Sequence, residues 1–417
     1  MPFDPAAVRT RFPSLSVRDE GHERIYFDNP GGTQVPDRVI ERTTEYFTHF
    51  NANSGGPFRT STGTDRLLDE AHSAMADLLG AAGPEEIVFG QNMTTLTFAV
   101  SRALGRGFKR GDRILLTRMD HDANVSPWLL LARDLGLDVD FLPFSPETFR
   151  YELERLDDLV TERTVLAAVN YASNALGTIN DVGSIVRRVH GVGGLVYVDA
   201  VQYVPHAPTD VQALGCDFLA CSAYKFFGPH QGILWGRRHL LESLDAYKVR
   251  PASNDLPHRH ETGTLSHEGM VGTLGAVEYL EWLGRSVDPR SETRREALVS
   301  AMNAMVRYEQ GLCGHLLSGL ESIPGLRIFG ITDRRALLER VPTVIFRMDG
   351  VEPQVVNRKL AAANIFAWDG NYYALEVMET LGFEGRGGLN RVGLAHYNTV
   401  AEVDRLIEVL SAVRAGA

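Results

Sequence analysis

Between Gly194 and Arg237 the chain passes through three short apolar stretches, each bounded by polar or turn residues. Leu195 to Val198 ends in Asp199. Asp217 to Cys221 ends in Ser222-Ala223-Tyr224-Lys225. Gly232 to Trp235 follows the turn at Gly228. Short continuous apolar runs between turn residues predict strands buried on both faces. Such strands belong to a sheet covered by helices, which limits the chain to a small set of α/β folds. In an open α/β sheet, polar groups just past the carboxyl ends of the strands face the ligand crevice. Asp199, Ser222 and Lys225 are therefore a candidate site.

The same alternation extends upstream. Ile87 to Phe89, Arg113 to Thr117, Val139 to Leu142 and Thr164 to Val169 read as strands. Helical spacing fills Arg38 to Phe50, Asp65 to Ala81, Leu96 to Leu104, Trp128 to Leu135 and Ile185 to His190. Strands alternating with helices over short connections predict a mostly parallel sheet with helices on both faces. Asn51 to Thr64, rich in Gly, Asn, Ser and Thr, predicts a long polar loop. Downstream, Leu265 to Leu283 and Glu292 to Leu320 read as helices, the second long enough to leave the large unit. Strand candidates at 325–329, 343–347, 365–368 and 390–395, with helices at 353–363 and 400–413, then make a small α+β unit. The expected division is an N-terminal arm of the small domain at 1–20, a large domain at 21–290 and the small domain at 291–417.

Composition excludes several function classes. The 417 residues carry a net charge of −11 with Lys and Arg scattered, which argues against a nucleic-acid or anionic-membrane surface. Three sparse cysteines, Cys216, Cys221 and Cys313, make neither a disulfide framework nor a zinc site, and no metal site is expected. The first residues hold no apolar segment of a signal peptide, and no apolar run approaches a membrane span. A cytoplasmic protein is expected.

Asp199 and Lys225 together suggest particular chemistry. A carboxylate placed to hold a protonated ring nitrogen, with a lysine placed to form an imine, is what pyridoxal phosphate requires. Partial burial would lower the lysine pKa towards the free amine that this needs. The turn after Phe89 leads into a helix with Thr94 and Thr95 at its start, where backbone N–H groups and the dipole favour a phosphate. Taken alone, Thr94 reads more readily as an ordinary helix cap, since helix starts far outnumber phosphate sites. His121 opens the loop after one strand and Asn174 follows another, as a stacking partner and a donor to a ring hydroxyl. Each residue alone has an ordinary explanation. Five polar signals at strand ends of one sheet favour a site.

The wider sequence resembles the class V aminotransferase family of fold-type I pyridoxal phosphate enzymes, most closely its cysteine desulfurase and selenocysteine lyase branch. The matching words are YFDNPGGTQVP at 26–36, TT at 94–95, MDHDANVSPW at 119–128, SNALGTIN at 173–180, VDAVQ at 198–202, CSAYKFFGP at 221–229, ETGT at 261–264 and NRVGLAHYNT at 390–399. They span nearly the whole chain. The resemblance implies that Lys225 is the Schiff-base lysine, that Asp199 pairs with the ring nitrogen and that His121 stacks on the ring. It implies Asn174 and Gln202 at the ring hydroxyl, with Thr94, Thr95, Ser222 and Tyr224 at the phosphate. Thr264 would reach the phosphate from the other subunit of a homodimer with shared active sites. Arg391 would clamp the α-carboxylate of an amino-acid substrate, a role that suits a bidentate guanidinium, and Asn29 would join the substrate site.

Three departures bear on function. Tyr224 stands where the branch usually has a histidine, and Trp368 replaces a second arginine. Aligning IFAWDGNYYALEVM at 365–378 puts Tyr373 where desulfurases carry their persulfide-forming cysteine. Cys216 and Cys221 lie in an apolar segment and Cys313 in a helix remote from the motifs, so none reads as its substitute. The expected activity is β-elimination with C–S cleavage on an amino acid. Transamination, epimerisation and persulfide transfer are the alternatives.

Overall fold

The computed structural model describes residues 3–416. A seven-stranded sheet forms the centre of the larger unit. Its strands are β1 (Ile87–Gly90), β2 (Arg113–Thr117), β3 (Asp138–Leu142), β4 (Thr164–Asn170), β5 (Leu195–Asp199), β6 (Phe218–Ser222) and β7 (Gly232–Gly236), in the spatial order β1-β7-β6-β5-β4-β2-β3. The block from β6 to β3 is parallel, while β7 runs antiparallel to both β1 and β6. The sheet is thus mostly parallel with one reversed strand. The carboxyl ends of β1, β2, β4, β5 and β6 all reach the same edge.

Both faces of the sheet are covered, which explains the unbroken apolar runs. Alternate residues point to opposite layers. Val196, Val198, Leu219, Cys221, Ile233 and Trp235 join one buried cluster, and Tyr197, Phe218, Ala220 and Leu234 join the other. The first layer also holds Leu67, Met75, Met270 and Leu274 of helices α1 (Arg59–Leu79) and α3 (His267–Val287). The second holds Leu96, Val100 and Leu104 of α2 (Met93–Gly105).

Helix α1 begins at Arg59, so the expected loop is shorter than Asn51 to Thr64. Hydroxyl side chains draw its first turn back onto the preceding segment, with Ser61 donating to the Asn53 carbonyl at 2.6 Å and Thr64 to that of Phe50 at 2.6 Å. Their composition resembles a loop, but tertiary hydrogen bonds offset their weak helix preference.

The 28-residue helix α4 (Arg294–Glu321), started by a Thr293/Glu296 capping box, carries the chain away from the large sheet. Its first half packs in the large core through Leu298, Met302 and Met305. Its second half supplies Leu312, Leu316 and Leu320 to a separate cluster. There it meets the four-stranded antiparallel sheet of β8 (Leu326–Phe329), β9 (Thr343–Met348), β10 (Trp368–Gly370) and β11 (Leu389–Gly393), in the order β8-β9-β11-β10. The single strand expected at 365–368 is split. Ile365–Phe366 pairs in parallel with Ile25–Tyr26, whereas Trp368 already belongs to β10. This pairing and the adjacent Asp28 bridge to Gly393 bring the segment before the 28–33 turn against the small sheet. Among the described residues, no helix is long and apolar enough to cross a membrane.

Candidate active site

The carboxyl edge of the large sheet and the lip of the small one enclose a cavity of about 560 Å³. Its floor is set by strand register. Asn170 of β4 lies opposite Asp199 of β5, and Ser222 of β6 lies opposite Gly232 of β7. Gly232 also pairs with Gly90 of β1, beside the start of α2. A Cβ at Gly232 would lie 2.3 Å from the Asn92 carbonyl carbon, so only glycine lets the helix start approach this closely. Asn92, Met93, Thr94 and Ser222 therefore converge at one end of the cavity.

Asp199 is nearly fully buried, and its Oδ1 accepts the Val201 N–H at 2.9 Å. Burial pushes its carboxyl up to about 6, against the opposing effects of that hydrogen bond and of Lys225. Lys225 follows β6 in a short 3-10 turn, and its Nζ donates to the Pro30 carbonyl. Burial lowers its pKa from 10.5 to about 7. The Arg391 cation assists, while Asp28 and Asp199 oppose. At neutral pH a free amine is thus accessible, the state a nucleophilic or proton-accepting lysine needs. His121 is held near 4 by burial and the neighbouring Lys225 and Arg391 charges, so its ring is neutral. Its Nδ1 accepts the Ala123 N–H at 3.0 Å, leaving the proton on Nε2.

The other end is built around Arg391 on β11. Its Nη1 donates to the Asn174 carbonyl at 3.2 Å, its Nη2 to Asp28 Oδ1 at 3.2 Å, and its guanidinium lies 4.4 Å from the Tyr372 ring centre. Its Nε, although buried, has no protein partner. Asn174 donates to the Tyr372 carbonyl at 2.9 Å and Gln202 to Thr343 Oγ1 at 3.0 Å. The carbonyl oxygens of both amides are buried without partners. Buried polar groups are normally satisfied. Three such groups around one cavity indicate a polar ligand.

Ten of the residues assigned to the site from the sequence line this cavity: Thr94, His121, Asn174, Asp199, Gln202, Ser222, Tyr224, Lys225, Tyr373 and Arg391. Three do not. Thr95 closes a capping box with Asn92, donating to its carbonyl at 2.9 Å, so its hydroxyl serves the helix start instead of the cavity. Asn29 is buried behind the turn, where it donates to the Gly393 carbonyl at 2.8 Å and to Asn398 at 3.0 Å and accepts from Tyr397. Its amide is committed to joining two segments. Thr264 is exposed and lies off this chain's cavity. Sequence reasoning passed over Asp28, Asn92 and Asn170, which do line it. Asp28 and Asn170 each follow or end a short strand, the rule that picked out Asp199.

A buried carboxylate and a lysine of lowered pKa at strand ends, a helix start beside a buried hydroxyl and a neutral imidazole together fit pyridoxal phosphate. Fold and site define a pyridoxal phosphate-dependent enzyme of fold type I. The family model for Aminotransferase class-V matches residues 25–406, and the chain belongs to that family. Its similarity to cysteine desulfurases covers the full length. It is 31% identical to the cysteine desulfurase of Yersinia pestis (strain Pestoides F), over 99% of each chain. It is also 31% identical to a probable cysteine desulfurase of Streptomyces coelicolor, over 99% of this chain and 97% of the relative. The apo structure of a cysteine desulfurase from Thermococcus onnurineus NA1 matches with a TM-score of 0.88 at 27% identity, covering 100% of this chain and 99% of that one. The cysteine desulfurase CsdA of Escherichia coli gives 0.84 at 25%, covering 99% and 98%. The protein is a cysteine desulfurase-like, pyridoxal phosphate-dependent enzyme.

Proposed function

We propose that the chain is a C–S lyase that cleaves the Cβ–S bond of an amino acid by β-elimination and releases the sulfur without passing it to a protein thiol. One observation carries the reading. All three cysteines are buried away from the cavity, and Tyr373, which the family resemblance sets against the desulfurase cysteine, stands on its lip. Cys216 and Cys221 lie in the large core and Cys313 in the small one. Burial pushes each thiol up, away from the reactive thiolate.

When bound, pyridoxal phosphate supplies an aldehyde that joins amines and a ring that draws electrons from the α-carbon. Lys225 would hold it through Nζ, and the same nitrogen, once displaced by the substrate's amine, would take up the α-proton. Asp199, as a buried carboxylate, would be the counter-charge that keeps the ring nitrogen protonated. His121 covers the ring, neutral and rigidly oriented. Thr94, Ser222 and the first N–H groups of α2 hold the phosphate, with Tyr224 beside them. Gln202 and Asn174 each keep one amide hydrogen for the ring hydroxyl or the substrate. Arg391 receives the α-carboxylate, which takes the place of Asp28 on its Nη2 edge.

The protein acts as a homodimer in the cytoplasm, with Thr264 completing the partner's phosphate site. Its exposure, and its place outside the lining of this chain's own cavity, support that role. Persulfide transfer is the second reading, favoured by the names of the relatives. Incubating the holoenzyme with L-cysteine and S-substituted cysteines separates the two. β-Elimination yields pyruvate with sulfide or thiol and survives alkylation of accessible thiols. A cysteine persulfide found by mass spectrometry, together with activity lost on alkylation, would establish transfer instead.

A further inference from the structure

Two aromatic side chains at the cavity mouth stand in solvent. Trp368 is 55% exposed and Tyr373 71% exposed, and both line the cavity. Trp368 opens β10 directly opposite Arg391 in the strand register, so the small sheet fixes its place on the lip. Tyr373 follows Tyr372 through two consecutive left-handed backbone positions, with φ of 55° and 57°. Glycine or asparagine adopts that conformation with less strain, and tyrosine persists there only where its surroundings hold it.

They do hold it. Tyr372 donates to the Leu389 carbonyl and receives Asn174 Nδ2 at 2.9 Å. The Tyr373 carbonyl accepts the Asp122 N–H at 2.7 Å, and its own N–H reaches Asn371 Oδ1 at 3.1 Å. The Tyr373 ring is stacked on His121, with centroids 5.4 Å apart and planes inclined by 24°. A strained, over-determined backbone that presents an aromatic face at a cavity mouth indicates a ligand contact. Aromatic faces favour another planar ring. A bare cysteine thiol extends one atom beyond Cβ and has nothing to offer either wall.

We infer that the site takes S-conjugated cysteines whose sulfur substituent bears a planar ring, with Trp368 and Tyr373 as specificity-determining walls. This rests on the C–S lyase reading. The reaction needs no oxidant or reductant. The α-proton passes to Lys225, and the Cβ–S bond breaks with its electron pair on sulfur, which leaves as a thiol once protonated. The three-carbon remainder takes up one water and yields pyruvate and ammonium.

The test compares S-benzyl-L-cysteine, S-methyl-L-cysteine and L-cysteine on the holoenzyme and its Trp368→Ala, Trp368→Phe and Tyr373→Ala variants. It measures kcat and KM from pyruvate and thiol, dissociation constants from the change in cofactor absorbance, and self-association by sedimentation. The wild type should prefer S-benzyl over S-methyl by about tenfold or more. Either alanine variant should erase most of that preference through KM, and Trp368→Phe should keep it. Equal preference in wild type and variants overturns the inference. So does an effect confined to self-association, which would assign the aromatic faces to a second copy of the chain. If S-methyl and S-benzyl yield pyruvate equally, the lyase reading stands and this inference fails. If nothing yields pyruvate but S-benzyl still binds preferentially, the lyase reading fails and the aromatic walls stand.

Discussion

The Lys225 amine gives the sharpest quantitative expectation. Its pKa lies at about 7 instead of 10.5. That difference corresponds to about 5 kcal/mol of lost preference for the charged form. At pH 7 about half of the amine is free base, against roughly one molecule in 3,000 for an ordinary lysine. The rate at which apoenzyme captures added pyridoxal phosphate should follow that fraction, rising with pH and levelling off not far above 7. Two substitutions move the midpoint in opposite directions. Arg391→Gln removes a cation that disfavours the ammonium and should raise it. Asp28→Asn removes an anion that favours the ammonium and should lower it. Each shift should be on the order of one pH unit, as expected for a single charge nearby. Burial is the largest cause and is retained in both variants, so neither midpoint should return to 10.5. The assay is stopped-flow absorbance of the lysine-bound cofactor across pH. A wild-type rate that climbs tenfold per pH unit up to about pH 9.5 would refute the assignment. Identical midpoints in the two variants would refute the electrostatic account.

Other positions give independent checks. Gly232→Ala would put a Cβ 2.3 Å from the Asn92 backbone, so it should destabilise the fold by about 1–3 kcal/mol and weaken cofactor capture, read by thermal melting and titration. Glu261 is buried, which raises its pKa, but hydrogen bonds from His258, His72 and the Phe89 N–H outweigh this and hold it at about 2. A folded pKa below the ordinary 4.5 means stability that is present above 4.5 and lost as pH falls towards 2. Glu261→Gln should therefore cost on the order of 3 kcal/mol at pH 6 and much less at pH 3 in urea unfolding. Asn29→Ala leaves buried partners at Asn398 and Tyr397 unsatisfied and should lower stability by about 1–3 kcal/mol. Because Asn29 does not line the cavity, KM should be little changed in steady-state kinetics.

Local patterns were legible where neighbours in sequence decide the outcome. Apolar runs marked the strands of the large sheet, since a strand buried on both faces must be apolar at every position. The rule that ligands sit at carboxyl strand ends then picked out Asp199, Ser222 and Lys225, which come together at one cavity. Cys216 and Cys221 were legible as buried for the same reason, their apolar surroundings in the chain, whereas Cys313, which is buried too, was legible only as remote from the motifs.

What the sequence alone could not decide were outcomes set by partners far along the chain. Thr94 and Thr95 are adjacent and chemically identical. Only the helix geometry turns one to the cavity and commits the other to the cap. Asn29 and Asp28 are likewise neighbours. Docking of the 28–32 turn on Gly393 buries the first in structural hydrogen bonds and aims the second at Arg391. The Lys225 pKa depends on burial and on Arg391, and the Tyr373 conformation on the Asp122 N–H that its carbonyl accepts. Side-chain pattern is a local property of the chain. Pairing, burial and charge in the site arise only when the small sheet closes over the edge of the large one.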